Sequence, residues 1–427
     1  MNDSFKREPI GDGVWFSQVI DPKFKHNRIT ANLLLPLDRA AVTENALVPF
    51  LLRRGCRRLP DFTELNRKLC MLYGASLSCD VSRYGAYQSL DLSIYGIDDR
   101  FTLDGERMIG ECAALLADVL LDPKLEGGLF GEEDVALERQ QLCDTIEGLV
   151  NDKRLYAMSR CRAVMCEGEP FSVEKYGYLE EARALTPAGA TAAWRRALET
   201  AQIELSFVGC GDPAPAKELF REAFGRLQSR NPVAFRRCYG RAKAETVREV
   251  TDEMDVAQSK LVLGFRTGGE KDRRQLAAMR MMSALYGGTP NSKLFLNVRE
   301  KLSLCYYCAA RFDRLTGLMM VDSGVEKPNR QKAQDEILRQ LECVKRGEFT
   351  DDEVDATLLL MQNSLRSVGD SLGSLEDWYL TQTLCGSSDS PADESALLAQ
   401  VTREEIIEAA NRVTLDTVYF LTGKEAE

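Results

Sequence analysis

The stretch that decides the fold reads LYGGTPNSKLFLNVREK from Leu285 to Lys301, and Leu304-Cys305-Tyr306 follows it. Its pair Leu296-Asn297 recurs as Leu65-Asn66 early in the chain. In both places the pair falls in a predicted helix that precedes a strand-turn-strand segment. The sequence therefore predicts one structural unit that is used twice.

The similarity between the two halves extends outward from this pair. Each half opens on a predicted strand and closes on a helix followed by a strand rich in branched and aromatic residues. The long helices begin alike, and Thr350 with Glu353 predicts a capping box. The paired predictions are strands 28–35 and 260–266, helices 64–71 and 292–301, hairpins 75–94 and 305–325, helices 103–120 and 328–344, helices 185–196 and 401–412, and strands 203–209 and 417–422.

Strands and helices are mixed within each half, and hairpins replace regular strand-helix-strand crossovers. We therefore predict an α+β fold of two tandem homologous domains, each a mostly antiparallel sheet packed with helices, as in half of a clamshell. A basic, poorly periodic stretch separates the halves. The predicted bounds are 1–228 for the N-terminal domain, 229–246 for the linker and 247–427 for the C-terminal domain.

Composition limits the possible functions. The chain has 427 residues, of which 44% are apolar and 28% charged, as expected of a globular protein with a sizeable core. Its net charge of -11 argues against a nucleic-acid partner, which would need clustered cations. The short basic cluster Arg53, Arg54, Arg57 and Arg58 is predicted to be solvated charge at a helix end.

Membrane and secretory signals are also weak. No apolar run approaches the roughly 20 residues that cross a bilayer, so no membrane partner is expected. The first residues carry two acids and no apolar segment behind their basic residues, unlike a secretory signal. A cytoplasmic location is the expectation.

Thirteen cysteines are scattered through apolar stretches, and their number is odd. We expect them to be reduced and mostly buried. Only Cys305 and Cys308 have metal-like spacing, and a zinc ribbon would need a second such pair. In an extended strand their thiols would also point to opposite faces.

His26 is the only histidine in the chain. Zinc peptidases of the two-imidazole type need a second histidine, so a self-contained enzyme of that type is excluded. His26 follows a lysine-rich turn and is expected to be exposed and without function. No nucleophile elbow is present, and no Gly-Lys-Ser/Thr follows the Gly287-Gly288 turn. The sequence predicts no catalytic residue, no metal and no cofactor.

The stretch from Leu285 to Tyr306 resembles the second-domain signature of the insulinase and pitrilysin-like metallopeptidases. The resemblance is to the two-domain branch that includes the mitochondrial processing peptidase, and it covers nearly the whole chain. Active members carry His-x-x-Glu-His where this chain has Ala46-Leu47-Val48-Pro49-Phe50.

The resemblance implies that three chemical positions have been replaced. Ala46 and Phe50 stand where the histidines would be, and Pro49 stands for the general-base glutamate. The third ligand would fall near Asp144 and Thr145. Alanine and phenylalanine offer zinc no lone pair, so the resemblance implies a non-catalytic member.

The resemblance further implies that Arg299 and Tyr306 bind substrate. A guanidinium can hold a peptide carbonyl or a developing oxyanion, and a phenol can add a second donor. Against this, an arginine late in a helix is usually solvated and a tyrosine in a strand is usually in the core. Strand alternation leaves open whether Tyr306 or Tyr307 faces a substrate chamber.

Three functional hypotheses follow. The first is a non-catalytic subunit that pairs as a heterodimer with a homologue carrying an intact His-x-x-Glu-His, and contributes Arg299 and Tyr306 to the processing of peptides or unfolded protein. Its pattern also looks like one half of a bacterial pair associated with modification of elongation factor P. The second is a peptide-binding or scaffold protein without hydrolysis, and the third is a homodimeric structural protein.

Overall fold

The computed structural model describes residues 5–227, 230–270 and 272–423, which form two compact units. The first unit comprises Met1–Glu147, Val173–Arg236 and Gly369–Ser390. The second comprises Gly148–Ser172, Arg237–Val368 and Pro391–Glu427. The compact units therefore differ from the contiguous bounds 1–228 and 247–427, because each unit includes a segment from the other half of the chain.

The elements follow one another along the chain with a similar order in the two halves. In the first half they are β1 Lys6–Gly11, β2 Val14–Ile20, β3 His26–Pro36, α1 Val42–Leu52, α2 Phe62–Met71, β4 Ser76–Tyr84, β5 Tyr87–Ile97, α3 Met108–Leu121, α4 Glu132–Gly148, α5 Lys153–Met165, α6 Leu179–Arg183, α7 Pro187–Thr200, β6 Gln202–Gly209 and α8 Ala214–Gly225. In the second half they are β7 Arg248–Glu253, β8 Ser259–Arg266, α9 Arg273–Ser283, β9 Cys305–Asp313, β10 Leu318–Val325, α10 Arg330–Lys345, α11 Asp351–Val368, α12 Leu372–Leu384, α13 Pro391–Leu398, α14 Arg403–Arg412 and β11 Thr414–Thr422.

Each unit contains one sheet. The first has the order β1-β2-β6-β3-β5-β4 and the second the order β7-β11-β8-β10-β9. Only the pairs β2–β6 and β7–β11 are parallel among these strands, and every other pair is antiparallel. The order β6-β3-β5-β4 repeats as β11-β8-β10-β9, which confirms the predicted α+β fold with a duplicated unit.

The core of the first unit lies on one face of its sheet. Alternate residues of β3 and β5, among them Ile29, Ala31, Leu90 and Leu92, join the apolar core beside α1, α3 and α7. Strand alternation sends the intervening side chains to the opposite face. That opposite face lies next to α12, which contacts β3 and β6.

In the second unit, α5 covers a sheet face with apolar side chains. Ala157 and Cys161 pack against Val262, Met320 and Tyr419. Because α5 comes from the first half of the chain and α12 from the second, each sheet is covered by a helix that the other half supplies. The sequence patterns gave no sign of this exchange.

A fully buried arginine ties the end of α5 to the second sheet. The Arg266 guanidinium donates to Asp416 at 2.9 Å, to Glu169 at 2.7 Å and to the Met165 carbonyl at 2.6 Å. Burial alone would raise the pKa of Glu169, but the hydrogen bonds from Arg266, helped by Arg241, hold it below its ordinary value. A paired charge of this kind is costly to break because its partners are left buried.

Several local predictions need correction. The helix predicted over 103–120 begins only at Met108, where the Asp99 carboxylate accepts the backbone N–H of Ile109 at 2.9 Å. Strands β1, β2 and β7 were not predicted at all. Both hydrogen bonds of the predicted capping box are present between Thr350 and Glu353. Within the described residues, no helix is long and apolar enough to cross a membrane.

Candidate functional site

Helix α1 carries the positions where the resemblance implies lost metal ligands. Ala46 is completely buried, Pro49 is buried within the helix, and Phe50 packs against the apolar core. Proline normally interrupts a helix because it lacks an N–H, yet α1 continues to Leu52. The side chains at these positions are therefore part of the apolar core of the unit or packed against it.

These residues do not fit a zinc ion, because none of the three side chains offers a ligand atom. Asp144 and Thr145 lie exposed on α4, where Asp144 accepts a hydrogen bond from Gln140 and Thr145 donates to the Gln141 carbonyl. Among the described residues, no group of three or more His, Cys, Asp or Glu is placed to hold a metal ion.

An arginine connects the end of α1 to α4. The Arg54 guanidinium lies 3.0 Å from Asp134 and 3.7 Å from Glu138. Glu138 is buried, and burial raises the pKa of its carboxyl although Arg54 and Arg53 oppose the shift. The prediction that all four arginines of this cluster are solvated is therefore wrong for Arg54, whereas Arg57 and Arg58 are exposed.

Arg299 lies in an irregular helical turn of the second unit. The segment Phe295–Lys301 is a π-helix. This form is rare in proteins, and where it occurs it is often part of a functional site. Leu294 and Val298 are fully buried and anchor the turn. The Arg299 side chain is 42% exposed and its guanidinium stacks over the Phe295 ring, 4.6 Å from the centroid. Ser303 then reverses the chain with a left-handed φ of +49°.

Strand β9 places Tyr306 and Tyr307 in different environments. Tyr306 is 65% exposed, whereas the Tyr307 ring lies under the Arg154 guanidinium, 4.4 Å away. Burial raises the pKa of the Tyr307 phenol, and its hydroxyl has no hydrogen-bond partner. Of the two candidates, only Tyr306 presents its phenol to solvent.

A β-bulge accounts for this arrangement. Cys305 pairs with Val325 but Cys308 pairs with Ser323, so β9 holds one more residue than β10 at this point. The thiols of Cys305 and Cys308 come within hydrogen-bonding reach, and the prediction that they point to opposite faces is wrong. The contact with Cys308, and more weakly Arg299, lowers the pKa of the Cys305 thiol. Arg299 therefore lies near the start of the strand that carries Tyr306.

His26 and eleven of the thirteen cysteines lie outside the two segments that carry Arg299 and Tyr306. His26 is the first residue of β3 and not part of a turn, and its ring stacks on Tyr95 at 4.7 Å and is only partly exposed. All thirteen cysteines are free thiols, and nine of them are buried. The prediction that most cysteines are buried is confirmed, and their reduced state stays a prediction.

Sequence reasoning missed a polar cleft in the first unit. Thr30 and Asn32 of β3, with Asp91 and Ser93 of β5, line a space beside α12. The signal was present in the sequence RITANLLL, where Thr30 and Asn32 interrupt an otherwise apolar strand at alternate positions.

The structure has two α+β units with a repeated strand order. Its helix α1 has apolar residues at the positions where zinc peptidases of this type carry metal ligands. These features define a zinc-peptidase fold without its metal site. Residues 190–360 match the family model described as "Peptidase M16 inactive domain". A Bacillus subtilis protein named "Probable inactive metalloprotease YmfF" is 30% identical over 403 residues, covering 94% of each chain. The chain therefore belongs to the M16 peptidase family, the insulinase and pitrilysin-like metallopeptidases, as a non-catalytic member.

Solved structures agree with this fold. A conserved protein from Enterococcus faecalis V583 is 25% identical, with a TM-score of 0.90, over 99% of this chain and 100% of that one. A protease from Helicobacter pylori is 15% identical, with a TM-score of 0.79, over 98% and 99% of the two chains. The second likeness concerns the fold alone.

Proposed function

We propose that this chain is the non-catalytic subunit of a heterodimeric peptide-processing assembly. It pairs with a homologue that carries an intact His-x-x-Glu-His, and it contributes Arg299 and Tyr306 to the binding of substrate. The partner supplies the zinc ion and the hydrolysis. A role beside the modification of elongation factor P is a finer form of the same proposal.

The contrast between the two family motifs carries this proposal. Ala46, Pro49 and Phe50, at the positions of the metal motif, are apolar and packed. The first motif therefore has no side chain that can bind zinc or act as a general base. The second motif keeps two partly or largely exposed hydrogen-bond donors, Arg299 and Tyr306, on irregular backbone. Irregular backbone costs stability, and it persists where it positions functional groups.

The test is reconstitution with a zinc-bearing homologue encoded near the same gene. Peptidase activity on an unfolded peptide should appear only in the mixture. Arg299→Ala should lower kcat/KM at least about tenfold, and Tyr306→Phe about tenfold, through loss of donors to the substrate carbonyl or oxyanion.

Matched variants separate substrate binding from folding. Tyr307→Phe removes a hydroxyl that has no partner, and Arg311→Ala removes an exposed guanidinium further along β9. Both should leave activity unchanged. Equal activity of Arg299→Ala and the unmodified chain would contradict the assigned role. Activity of the homologue alone would contradict the pairing and favour the alternative, in which this chain binds peptides as a scaffold without hydrolysis.

A further inference from the structure

A polar cleft lies on the sheet face of the first unit that α12 covers. It contains about 650 Å³ of empty space, including its open mouth. Arg28, Thr30 and Asn32 alternate along β3 toward this space, and Ser93 and Asp91 of β5 pair with Thr30 and Asn32. Side chains between a sheet and a helix are normally apolar, so a polar set at this place needs a specific reason.

Acidic groups dominate the cleft. Four carboxylates line it together with a single guanidinium, that of Arg28, which is already paired with Glu376. Asp80 and Asp377 are exposed at the mouth and accept hydrogen bonds from Tyr176 at 2.8 Å and Tyr84 at 3.2 Å. Lys175, whose ammonium interacts with Asp80 and Asp91, adds a second positive charge beside the cleft. Four carboxylates against two cations still leave an excess of negative charge, which favours a cationic ligand.

Deeper in the cleft, hydrogen-bonding capacity is left over. Thr30 is 1% exposed and lines the cleft, and its hydroxyl has no hydrogen-bond partner. Ser206, which pairs with Thr30 on β6 and lines the smaller space beside the cleft, also has a hydroxyl without a partner. Buried polar groups are rarely left unpaired, so the Thr30 hydroxyl offers an acceptor to a donor that enters the cleft.

The Asp91 carboxylate also lowers the stability of the fold when it is charged. Asp91 accepts hydrogen bonds from Asn32 at 2.8 Å and from Ser89. Burial nevertheless raises the pKa of Asp91 to about 6. A cation placed beside it would offset this penalty.

A second, smaller and more apolar space adjoins the cleft. It is narrow, with about 20 Å³ open to a water molecule, is lined by Val19, Tyr379 and Phe207 among others, and shares Asn32, Glu376 and Leu380 with the polar cleft. Leu380 and Cys79 line the polar cleft itself and offer apolar contact to the body of a ligand whose cationic head meets the carboxylates. The carboxylates are too dispersed for a metal ion, since among the described residues no three such ligands are grouped.

We propose that this cleft binds a primary ammonium group carried on an aliphatic chain. A lysine side chain of a bound peptide and a free diamine share this chemistry. An ammonium group donates three hydrogen bonds, which the carboxylates and the Thr30 hydroxyl can accept. The proposal does not depend on Arg299, Tyr306 or a zinc-bearing partner.

Isothermal titration calorimetry of the full chain alone, at pH 8, tests the proposal. The probes are 1,5-diaminopentane and Nα-acetyl-lysine methylamide, with Nα-acetyl-norleucine methylamide as the uncharged control. At least one amine should bind saturably with a Kd below about 1 mM, and the norleucine compound should not bind. Binding of the lysine compound alone identifies a peptide side chain as the source, and binding of the diamine alone identifies a free amine.

The double variant Asp80→Asn/Asp91→Asn should weaken binding of the amine at least about tenfold, because it removes two of the four carboxylates. Asp144→Asn, an exposed carboxylate on α4, is the matched control and should bind as the unmodified chain does. Circular dichroism confirms that the variants fold. Absence of saturable amine binding, equal binding of the norleucine compound, or unchanged affinity of the double variant would each overturn the proposal.

Discussion

Helices α5 and α12 cover equivalent sheets, yet the surfaces beneath them differ in chemistry. Under α5, Ala157 and Cys161 meet Val262 and Met320 in apolar contact. Under α12, the sheet presents Thr30, Asn32, Asp91 and Ser93 around a polar cleft. A helix from the other half of the chain therefore completes an apolar core in one unit, whereas in the other unit it covers a polar cleft.

The difference teaches where this chain gains and loses stability. Burying apolar surface stabilises a fold by roughly 25 cal/mol per Å². An unpaired hydroxyl such as that of Thr30, or a carboxylate with a raised pKa such as that of Asp91, destabilises it. Groups that lower stability are commonly kept where function requires them.

The largest effect is expected under α5. Ala157→Asp would place an unpaired carboxylate at a position that is completely buried, and should lower the free energy of unfolding by at least about 3 kcal/mol. Thermal and urea unfolding followed by circular dichroism measure the loss. Leu155→Asp, at a 54% exposed position of the same helix, should change stability by less than about 0.5 kcal/mol. Equal effects of the two variants would show that α5 does not seal the sheet.

An effect of opposite sign is expected under α12. Asp91 has a folded pKa of about 6, above its unfolded value near 3.9, so the folded state binds the extra proton. Its contribution to stability is therefore present below about pH 4 and is lost as the pH rises through 6. Asp91→Asn should raise the free energy of unfolding by about 1–3 kcal/mol at pH 8 and by little at pH 4.

The charged groups around Asp91 define the control for this pH dependence. Asp80 on β4, Arg28 on β3, and Glu376 and Asp377 on α12 line the same cleft. Lys175 lies nearby and donates to the Val81 carbonyl. These groups remain in the variant, so the difference between variant and parent isolates Asp91. A gain that is equal at both pH values would contradict the assignment.

The smallest effect is expected at single hydroxyls. Thr30→Val should raise the free energy of unfolding by about 1 kcal/mol, because the hydroxyl that it removes has no partner. Thr267→Val is the matched contrast, since the buried Thr267 hydroxyl contacts Glu270 and the Gly317 carbonyl, each at 3.0 Å. This second variant should lower stability by about 1–2 kcal/mol. Losses of similar size in both would show that Thr30 has a partner after all.

Much of the fold could be predicted because local sequence determines it. The repeated helix and hairpin pattern around Leu65-Asn66 and Leu296-Asn297 gave the duplicated unit, and the capping residues Thr350 and Glu353 marked a helix start. The orientation of Tyr306 could not be predicted, because it depends on a bulge set by pairing with β10. The alternation of residues along β9 does not by itself indicate the extra residue of the bulge.

The cleft could not be predicted for a related reason. Its two walls are brought together by long-range contacts, such as the ion pair between Arg28 and Glu376, which lie 348 residues apart. Alternation on β3 indicated polar residues on one face, but not what would cover them. The fate of Arg54 likewise depended on α4, which brings Asp134 and Glu138 to it.

The exchange of α5 and α12 also bears on how such a chain can evolve. Each half of the chain supplies a helix that covers the sheet of the other half. Deletion of either half would therefore leave the remaining sheet without that covering helix. We therefore expect the two halves to be retained together. The half that carries the apolar metal positions thus still supplies a helix that covers the sheet of the other half.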